Sequence, residues 1–160
     1  MLHKQTPGVI VDQTTFDYLA DRQCAKQWKG FLGAMAQEFG KHSSAAELRA
    51  LMRRVGESYA RQTPLPACHT LDDIQLAASR VWMAQDWGWV TVAEEGDALH
   101  LRHYCSPLSA AFGPEGAAWA PAFLEGAYQQ WFQQLGAQDL GVTQTADIDH
   151  VGCVQFRLGR

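Results

Sequence analysis

Apolar side chains recur at steps of three and four along residues 119–136, which is the spacing of one helix face. They are Phe123, Leu124, Ala127, Tyr128, Trp131, Phe132 and Leu135. Pro121 suits the first turn, where its missing N–H would have no intrahelical partner, and Gly136 suits the end. Because a stripe this aromatic must be covered, we expect this segment to be the central core helix.

Gly126 interrupts that helix, although glycine costs about 1 kcal/mol relative to alanine in a helix interior. Its presence indicates the close approach of another backbone. The neighbouring Glu125 is expected at the polar edge or against a backbone N–H near the helix start, with no catalytic role. The candidate core and packing residues of this region are Trp119, Leu124, Gly126, Tyr128 and Trp131.

Three amphipathic helices are predicted before the central helix. The first follows a mobile arm of residues 1–13, is capped by Thr14 or Thr15 and closes at Gly40. Its apolar face comprises Phe16, Leu19, Cys24, Trp28, Phe31 or Leu32, Met35 and Phe39. Ser44 and Glu47 form a capping box for the second helix, and its apolar face is Leu48, Leu51, Met52, Val55 and Tyr59, with Gly56 on or near it. Thr70 and Asp73 cap the third, which runs through Ile74, Ala77, Val81 and Trp82.

The period changes to two in two places, which indicates β-hairpins. One comprises residues 89–94 and 98–105, and the other residues 139–146 and 151–158, while residues 112–116 are expected to be a Gly/Pro-rich loop. Hairpins this short are marginal alone, so we expect both to share one antiparallel sheet with the helices packed on it. The prediction is a single α+β domain over residues 14–160.

Composition excludes several function classes. With 160 residues, 47% of them hydrophobic, the chain can bury a sizeable core. A net charge of -4 disfavours a nucleic-acid partner, and no apolar window is long enough for a membrane span. The polar N-terminus is unlike a secretory signal, and the four scattered cysteines are typical of free thiols in a reducing compartment. We therefore expect the cytoplasm, with the periplasm as the alternative.

Metal and catalytic signatures are weak. His100 would point to the opposite side of a strand from His103 and Cys105, so these three residues do not predict a metal site. The chain has no G-x-S-x-G motif and no Gly-rich phosphate loop. Its paired carboxylates, Asp72-Asp73, Glu94-Glu95 and Asp147 with Asp149, fall at caps or turns. We expect no catalytic residues, no metal and no cofactor.

Six tryptophans in a chain of this length suggest a second use for aromatic rings. Flat rings beside polar side chains are what sugar-binding grooves use. Trp28, Trp82 and Trp131 lie on apolar helix faces and are expected in the core or at a subunit interface. Trp87, Trp89 and Trp119 are the ones expected to have room for partial exposure.

Several stretches together resemble the D component of the bacterial cellulose synthase complex. They are Pro64-x-Pro66-x-Cys68-x-Thr70-x-Asp72, Trp87-Gly88-Trp89-Val90-Thr91-Val92, and Trp119-x-Pro121-x-x-Leu124-Glu125-Gly126-x-Tyr128-x-x-Trp131, with Gly56 before them. The resemblance covers about residues 50–145. It implies a non-catalytic accessory protein that forms a homo-octamer of four dimers, a short cylinder whose passages are associated with nascent glucan.

The same resemblance implies partners among other cellulose synthase subunits or accessory proteins, and a role in ordering or exporting cellulose. Because the family's N-terminal arm is associated with the passages, it points to Leu2, His3, Lys4 and Gln5 as glucan contacts. A looser similarity links the chain to small-molecule-binding domains of the 4-vinyl reductase type, which hold a hydrophobic ligand between helices and sheet. That similarity rests on Trp87-Gly88, Ser106-Pro107, residues 123–126 and residues 153–156.

Overall fold

The computed structural model describes residues 12–160, and the glucan contacts expected at residues 2–5 lie outside this range. In order, the elements are α1 Gln13–Asp21, α2 Lys26–His42, α3 Ala45–Gln62, α4 Leu71–Met83, β1 Trp89–Glu95, β2 Ala98–Tyr104, α5 Leu108–Gly116, α6 Ala122–Gln134, β3 Gly141–Ala146 and β4 Val154–Gly159. The two hairpins join in one antiparallel sheet of order β1-β2-β4-β3. This confirms the predicted α+β fold.

Helix α6 is the centre of the core. Almost its whole length is buried, from Ala122 to Phe132, because other elements cover it on all sides. Pro121 is its N-cap, and Gly136 follows the last turn with a φ of 102°. A left-handed residue at this position favours glycine, so the predicted helix end is confirmed.

Helix α3 crosses α6 at two glycines, one on each helix. A Cβ at Gly126 would overlap the carbonyl oxygen of Arg53, and a Cβ at Gly56 would overlap that of Phe123. Each helix therefore presents a glycine where the other brings its main chain closest. This close approach is the physical reason for glycine inside α6.

The single long helix predicted over residues 14–40 is wrong, because the chain turns at Arg22–Ala25 and forms two helices. The expected apolar face steps by five residues from Leu19 to Cys24, which a continuous helix cannot keep on one side. The turn allows Ala20 and Cys24 to be buried. The predicted cap is also wrong, since Asp12 is the N-cap and accepts from the N–H of Thr15 at 2.8 Å.

Two further expectations need correction. Residues 112–116 belong to α5, which is kinked at Gly113 with a φ of 65°, rather than to a loop. The final strand starts at Val154 instead of residue 151, because the Asp149 carboxylate accepts from the N–H groups of Val151 and Cys153 and folds that segment into a turn. The capping boxes Ser44/Glu47 and Thr70/Asp73 are confirmed.

The sheet has one covered face and one open face. Its covered face supplies the buried side chains Val90, Leu101, His103, Val142, Val154, Phe156 and Leu158. The open face carries Trp89, Arg102 and Gln155, all exposed. Within residues 12–160, no helix combines the length and hydropathy needed to cross a bilayer.

Candidate functional site

A group of polar side chains joins α3, α6 and β3, and we call it the Arg–Glu cluster: Arg49, Arg53, Glu125, Gln129 and Gln144. The Glu125 carboxylate forms ion pairs with Arg53 and, at 3.0 Å, with Arg49 Nη2. It also accepts from the backbone N–H of Gln144 at 3.0 Å. The Glu125 side chain is 9% exposed, so the expected position at a polar edge is wrong, while the backbone N–H contact belongs to β3.

Gln129 extends the Arg–Glu cluster one turn along α6. Its Oε1 accepts from the N–H of Val142 at 2.8 Å and from Arg53 at 3.2 Å, and its Nε2 donates to the carbonyl of Leu140 at 2.9 Å. These bonds occupy main-chain groups along the outer edge of β3. At the opposite edge of the sheet, Ser79 and Gln75 of α4 hold main-chain groups of β1 in the same way.

Capped edges have a consequence for association. An uncovered edge strand offers unpaired N–H and C=O groups to a strand from another molecule. In this sheet, helix side chains already use the N–H groups of Val90, Val92, Val142 and Gln144. The helical surfaces and the open sheet face are therefore the surfaces left for partners.

A second buried polar group lies on the other side of α6. His103 Nε2 is 2.7 Å from the carbonyl of Trp87, and Nδ1 is 2.6 Å from the hydroxyl of Tyr128. A carbonyl only accepts, so Nε2 carries the proton and donates, and Nδ1 accepts from Tyr128. Burial lowers the pKa of His103 to about 4, while the bond to Trp87 opposes this change. Burial also raises the pKa of Tyr128, so both groups are neutral at pH 7.

Two cavities lie beside these groups. One, of about 520 Å³, borders the Arg–Glu cluster and is lined by Arg49, Gln144 and residues 145–147. The other, of about 740 Å³, lies where the turn between α1 and α2 meets α3 and α5. Its lining is mostly apolar and includes Cys24, Trp28, Leu32, Met52, Phe112 and Phe123.

The candidate core residues are all in the interior: Trp119, Leu124, Tyr128 and Trp131 are at most 2% exposed, and Gly126 is in the α3–α6 crossing. The expectation of partial exposure is therefore wrong for Trp119. His103 is in the core, whereas His100 is half-buried, and they occupy opposite faces of β2. Across residues 12–160, no three His, Cys, Asp or Glu side chains are grouped to hold a metal ion.

Sequence reasoning missed the Arg–Glu cluster. A signal was present, because Arg49 and Arg53 are four residues apart on one helix, and Glu125 and Gln129 are four apart on another. Such spacing places each pair on one face. Pairing the two faces requires knowing that α3 packs on α6, and only the two glycines hinted at this.

A comparison with known families then identifies the fold. Residues 14–159 match the family model of the cellulose synthase D component. The chain belongs to this family. Relatives include the cellulose synthase operon protein D of Komagataeibacter xylinus and of Komagataeibacter sucrofermentans, each 29% identical over 129 residues, covering 78% of this chain and 82% of the relative. Another from Komagataeibacter xylinus is 27% identical over 128 residues, with the same coverage.

Membership in the cellulose synthase D family assigns the chain a role in cellulose synthesis and groups it with the other subunits of that system. The match extends well beyond the motifs that first suggested it, since it includes α1, α2 and β4. The resemblance read from the sequence is therefore confirmed.

Proposed function

We propose that this chain is a non-catalytic accessory subunit of bacterial cellulose synthesis. It assembles into a homo-octamer, a ring made of four dimers, and this ring organises synthase complexes or guides and orders nascent glucan chains. Its partners are other cellulose synthase subunits or accessory proteins, and a β-1,4-glucan chain.

The observation that carries the proposal is a group of exposed apolar side chains on α1, α2 and α3, which we call the apolar helical face. It comprises Phe16, Leu19, Trp28, Phe31, Leu51 and Val55, which are 37–60% exposed. Trp28 and Phe31 contact each other edge to face, with ring centroids 6.1 Å apart. Surfaces of this kind mark protein association sites, and a two-fold dimer buries the same patch from both subunits.

The sheet supports association through helices instead of strands. Because helix side chains hold main-chain groups on both of its outer edges, strand addition is blocked there. The apolar cavity of about 740 Å³ opens beside Trp28, so a second copy seated on the apolar helical face would also cover this cavity. Assembly through α1–α3 therefore hides most of the exposed apolar surface at once.

An accessory role is supported by the state of the buried polar groups. Glu125 is held by two arginines and a backbone N–H, and both nitrogens of His103 are already hydrogen-bonded. Groups held in this way stabilise packing and are not poised to exchange protons with a substrate. Polymerisation then belongs to another subunit.

The alternative, a ligand-binding domain of the 4-vinyl reductase type, requires a pocket between helices and sheet. The apolar cavity is instead walled by α2, α3 and α5, with Phe123 of α6 at its base. The space between α6 and the sheet is filled by Leu101, Tyr128 and Phe156. The position of the cavity favours an interface between subunits.

We place the protein in the cytoplasm. Cys24, Cys68, Cys105 and Cys153 are free cysteines, which suits a reducing compartment. Burial raises the pKa of the Cys24 and Cys153 thiols, which makes them less reactive.

The experiment is deletion of the gene in a cellulose-producing cell, followed by two measurements. We expect cellulose yield or fibre order to fall, while isolated membranes still synthesise glucan from UDP-glucose at the wild-type rate. Complementation with a Trp28→Asp, Phe31→Asp variant should not restore yield, whereas the wild-type gene should. Membranes that lose glucan synthesis despite a normal level of the catalytic protein would contradict an accessory role.

A further inference from the structure

The Trp87-Gly88-Trp89 segment sends its two indoles to opposite sides of the sheet. Trp87 turns inward, where its ring centroid is 5.1 Å from Phe123 and 5.7 Å from Trp82. Trp89 turns outward onto the open face and is 42% exposed. Gly88 has a φ of 77°, and a Cβ there would overlap the carbonyl oxygen of Tyr104. The glycine therefore allows β1 to start tightly against the end of β2.

On the open face, Trp89 is one layer of a stack. It is paired across the strands with Tyr104, and the two rings lie 9° from parallel with centroids 5.2 Å apart. The guanidinium of Arg102 is 5.0 Å from the centre of the Tyr104 ring. We call these three residues the aromatic platform. Because its neighbours already hold the Trp89 ring, a ligand that stacks on it loses little further side-chain freedom.

The surroundings of the aromatic platform are polar. Thr91 and Gln155 lie on either side of Arg102 across the strands, and His100 and Arg157 form the next row. A protein hot spot of Trp, Tyr and Arg is normally enclosed by a ring of residues that exclude water. Here a rigid apolar ring is instead surrounded by hydrogen-bonding groups, which suits a ligand with a flat C–H face and hydroxyls at its rim.

We propose that the aromatic platform binds a β-linked glucan chain, with a glucose ring stacked on Trp89 and its hydroxyls facing Thr91, Arg102 and Gln155. The choice of glucan rests on the proposed function, since the family role in cellulose synthesis makes it the sugar polymer at hand. The site lies on the sheet, away from the apolar helical face, so one copy can contact glucan and other subunits together.

The test uses the full-length protein labelled with 5-fluorotryptophan and titrated with cellohexaose, with maltohexaose as the α-linked control. Fluorine NMR resolves the tryptophans, and a Trp89→Phe variant assigns the signal of Trp89. We expect that signal to move with cellohexaose and to stay with maltohexaose, while the signals of buried Trp82 and Trp131 stay still. Because this readout uses the wild-type protein, it does not depend on any variant folding.

Calorimetry with cellohexaose then tests the stacking itself. Trp89→Leu keeps an apolar side chain but removes the flat ring, and we expect about tenfold weaker binding. Trp89→Phe keeps a ring and should lose about threefold or less. The matched control is Tyr18→Leu, which removes another exposed ring that is paired with an arginine, Arg22, but on a helix. We expect its affinity to be unchanged.

Three results would overturn the site: no cellohexaose binding by the wild-type protein, an unmoved Trp89 signal, or equal affinity in Trp89→Leu. If Trp89→Leu changed the native mass and left the affinity unchanged, the open face would be an interface between copies. A protein that fails to bind glucan yet still lowers cellulose yield when deleted would refute only this site, and the accessory role would stand.

Discussion

Two glycines set the separation of α3 and α6, since at each one a side chain would collide with the main chain of the other helix. No rotamer change relieves such a collision, because the obstacle is a carbonyl group. The helices must then move apart, and α6 carries most of the core with it. Residue-scale sensitivity should therefore be high at Gly56 and Gly126 and low at glycines that face open space.

Gly126→Leu should destabilise the protein by at least about 1–3 kcal/mol, the range typical of overpacking, even though leucine favours helix by about 1 kcal/mol. The matched control is Gly30→Ala in α2, where nothing lies within 4 Å of the added Cβ. That variant should gain about 0.5–1 kcal/mol. Both values come from urea unfolding followed by circular dichroism. A Gly126→Leu protein as stable as the wild type would show that the close approach is not rigid.

His103 should make stability depend on pH. Its folded pKa of about 4 is below the ordinary 6.5, so between these values the unfolded chain binds more protons than the folded one. Stability is therefore complete above pH 6.5 and falls as the pH drops towards 4, by about 3 kcal/mol from this residue.

The comparison that isolates His103 is His103→Gln, whose amide does not titrate. Capping carboxylates such as Glu47 and Asp73, whose pKa values are lowered, also lose stabilisation in acid, but they do so in both proteins. The difference in unfolding free energy between wild type and variant should shrink from pH 7 to pH 4. A constant difference would mean that His103 remains neutral in both states.

At the scale of elements, the Arg–Glu cluster joins two helices to the edge of the sheet. Glu125→Ala would leave two guanidinium groups and the N–H of Gln144 without their acceptor. Because the arginines are about one-third exposed, we expect a cost at the lower end for a broken buried pair, about 3 kcal/mol.

The matched control for Glu125→Ala is Glu57→Ala, which removes a longer ion pair, 3.8 Å, between half-buried partners on α3. That pair should contribute about 0.5 kcal/mol or less. Thermal unfolding of both variants at neutral pH measures the contrast. Equal losses would show that the cluster stabilises no more than a surface ion pair.

The accuracy of the sequence predictions followed how local their causes are. The ends of α6, the capping boxes and both hairpins depend on nearby residues, and they were predicted. The break after α1 was missed because no glycine or proline marks it, although the step from Leu19 to Cys24 did not fit a helix. Helix α5 was missed because Gly113 and Pro114 indicated a loop, and tertiary packing overrode them. The Arg–Glu cluster depends on a helix crossing that periodicity cannot specify.

At the scale of the whole molecule, the apolar helical face and the aromatic platform divide the surface between two tasks. The first lies on α1–α3 and the second on the open side of the sheet. The sequence predicts Trp28 in a core or an interface and leaves Trp89 room for partial exposure. The structure leaves both rings exposed within one chain, so only the assembly decides which of them is finally covered.

The most direct test of the proposed ring is the native mass of the full-length protein at micromolar concentration, by size exclusion with light scattering. We expect eight times the 17.7 kDa of one chain. Trp28→Asp, Phe31→Asp should reduce it to a dimer or monomer, while Thr143→Asp on the open sheet face, the matched control, should leave it unchanged. A stable wild-type monomer of 17.7 kDa would contradict assembly through the apolar helical face.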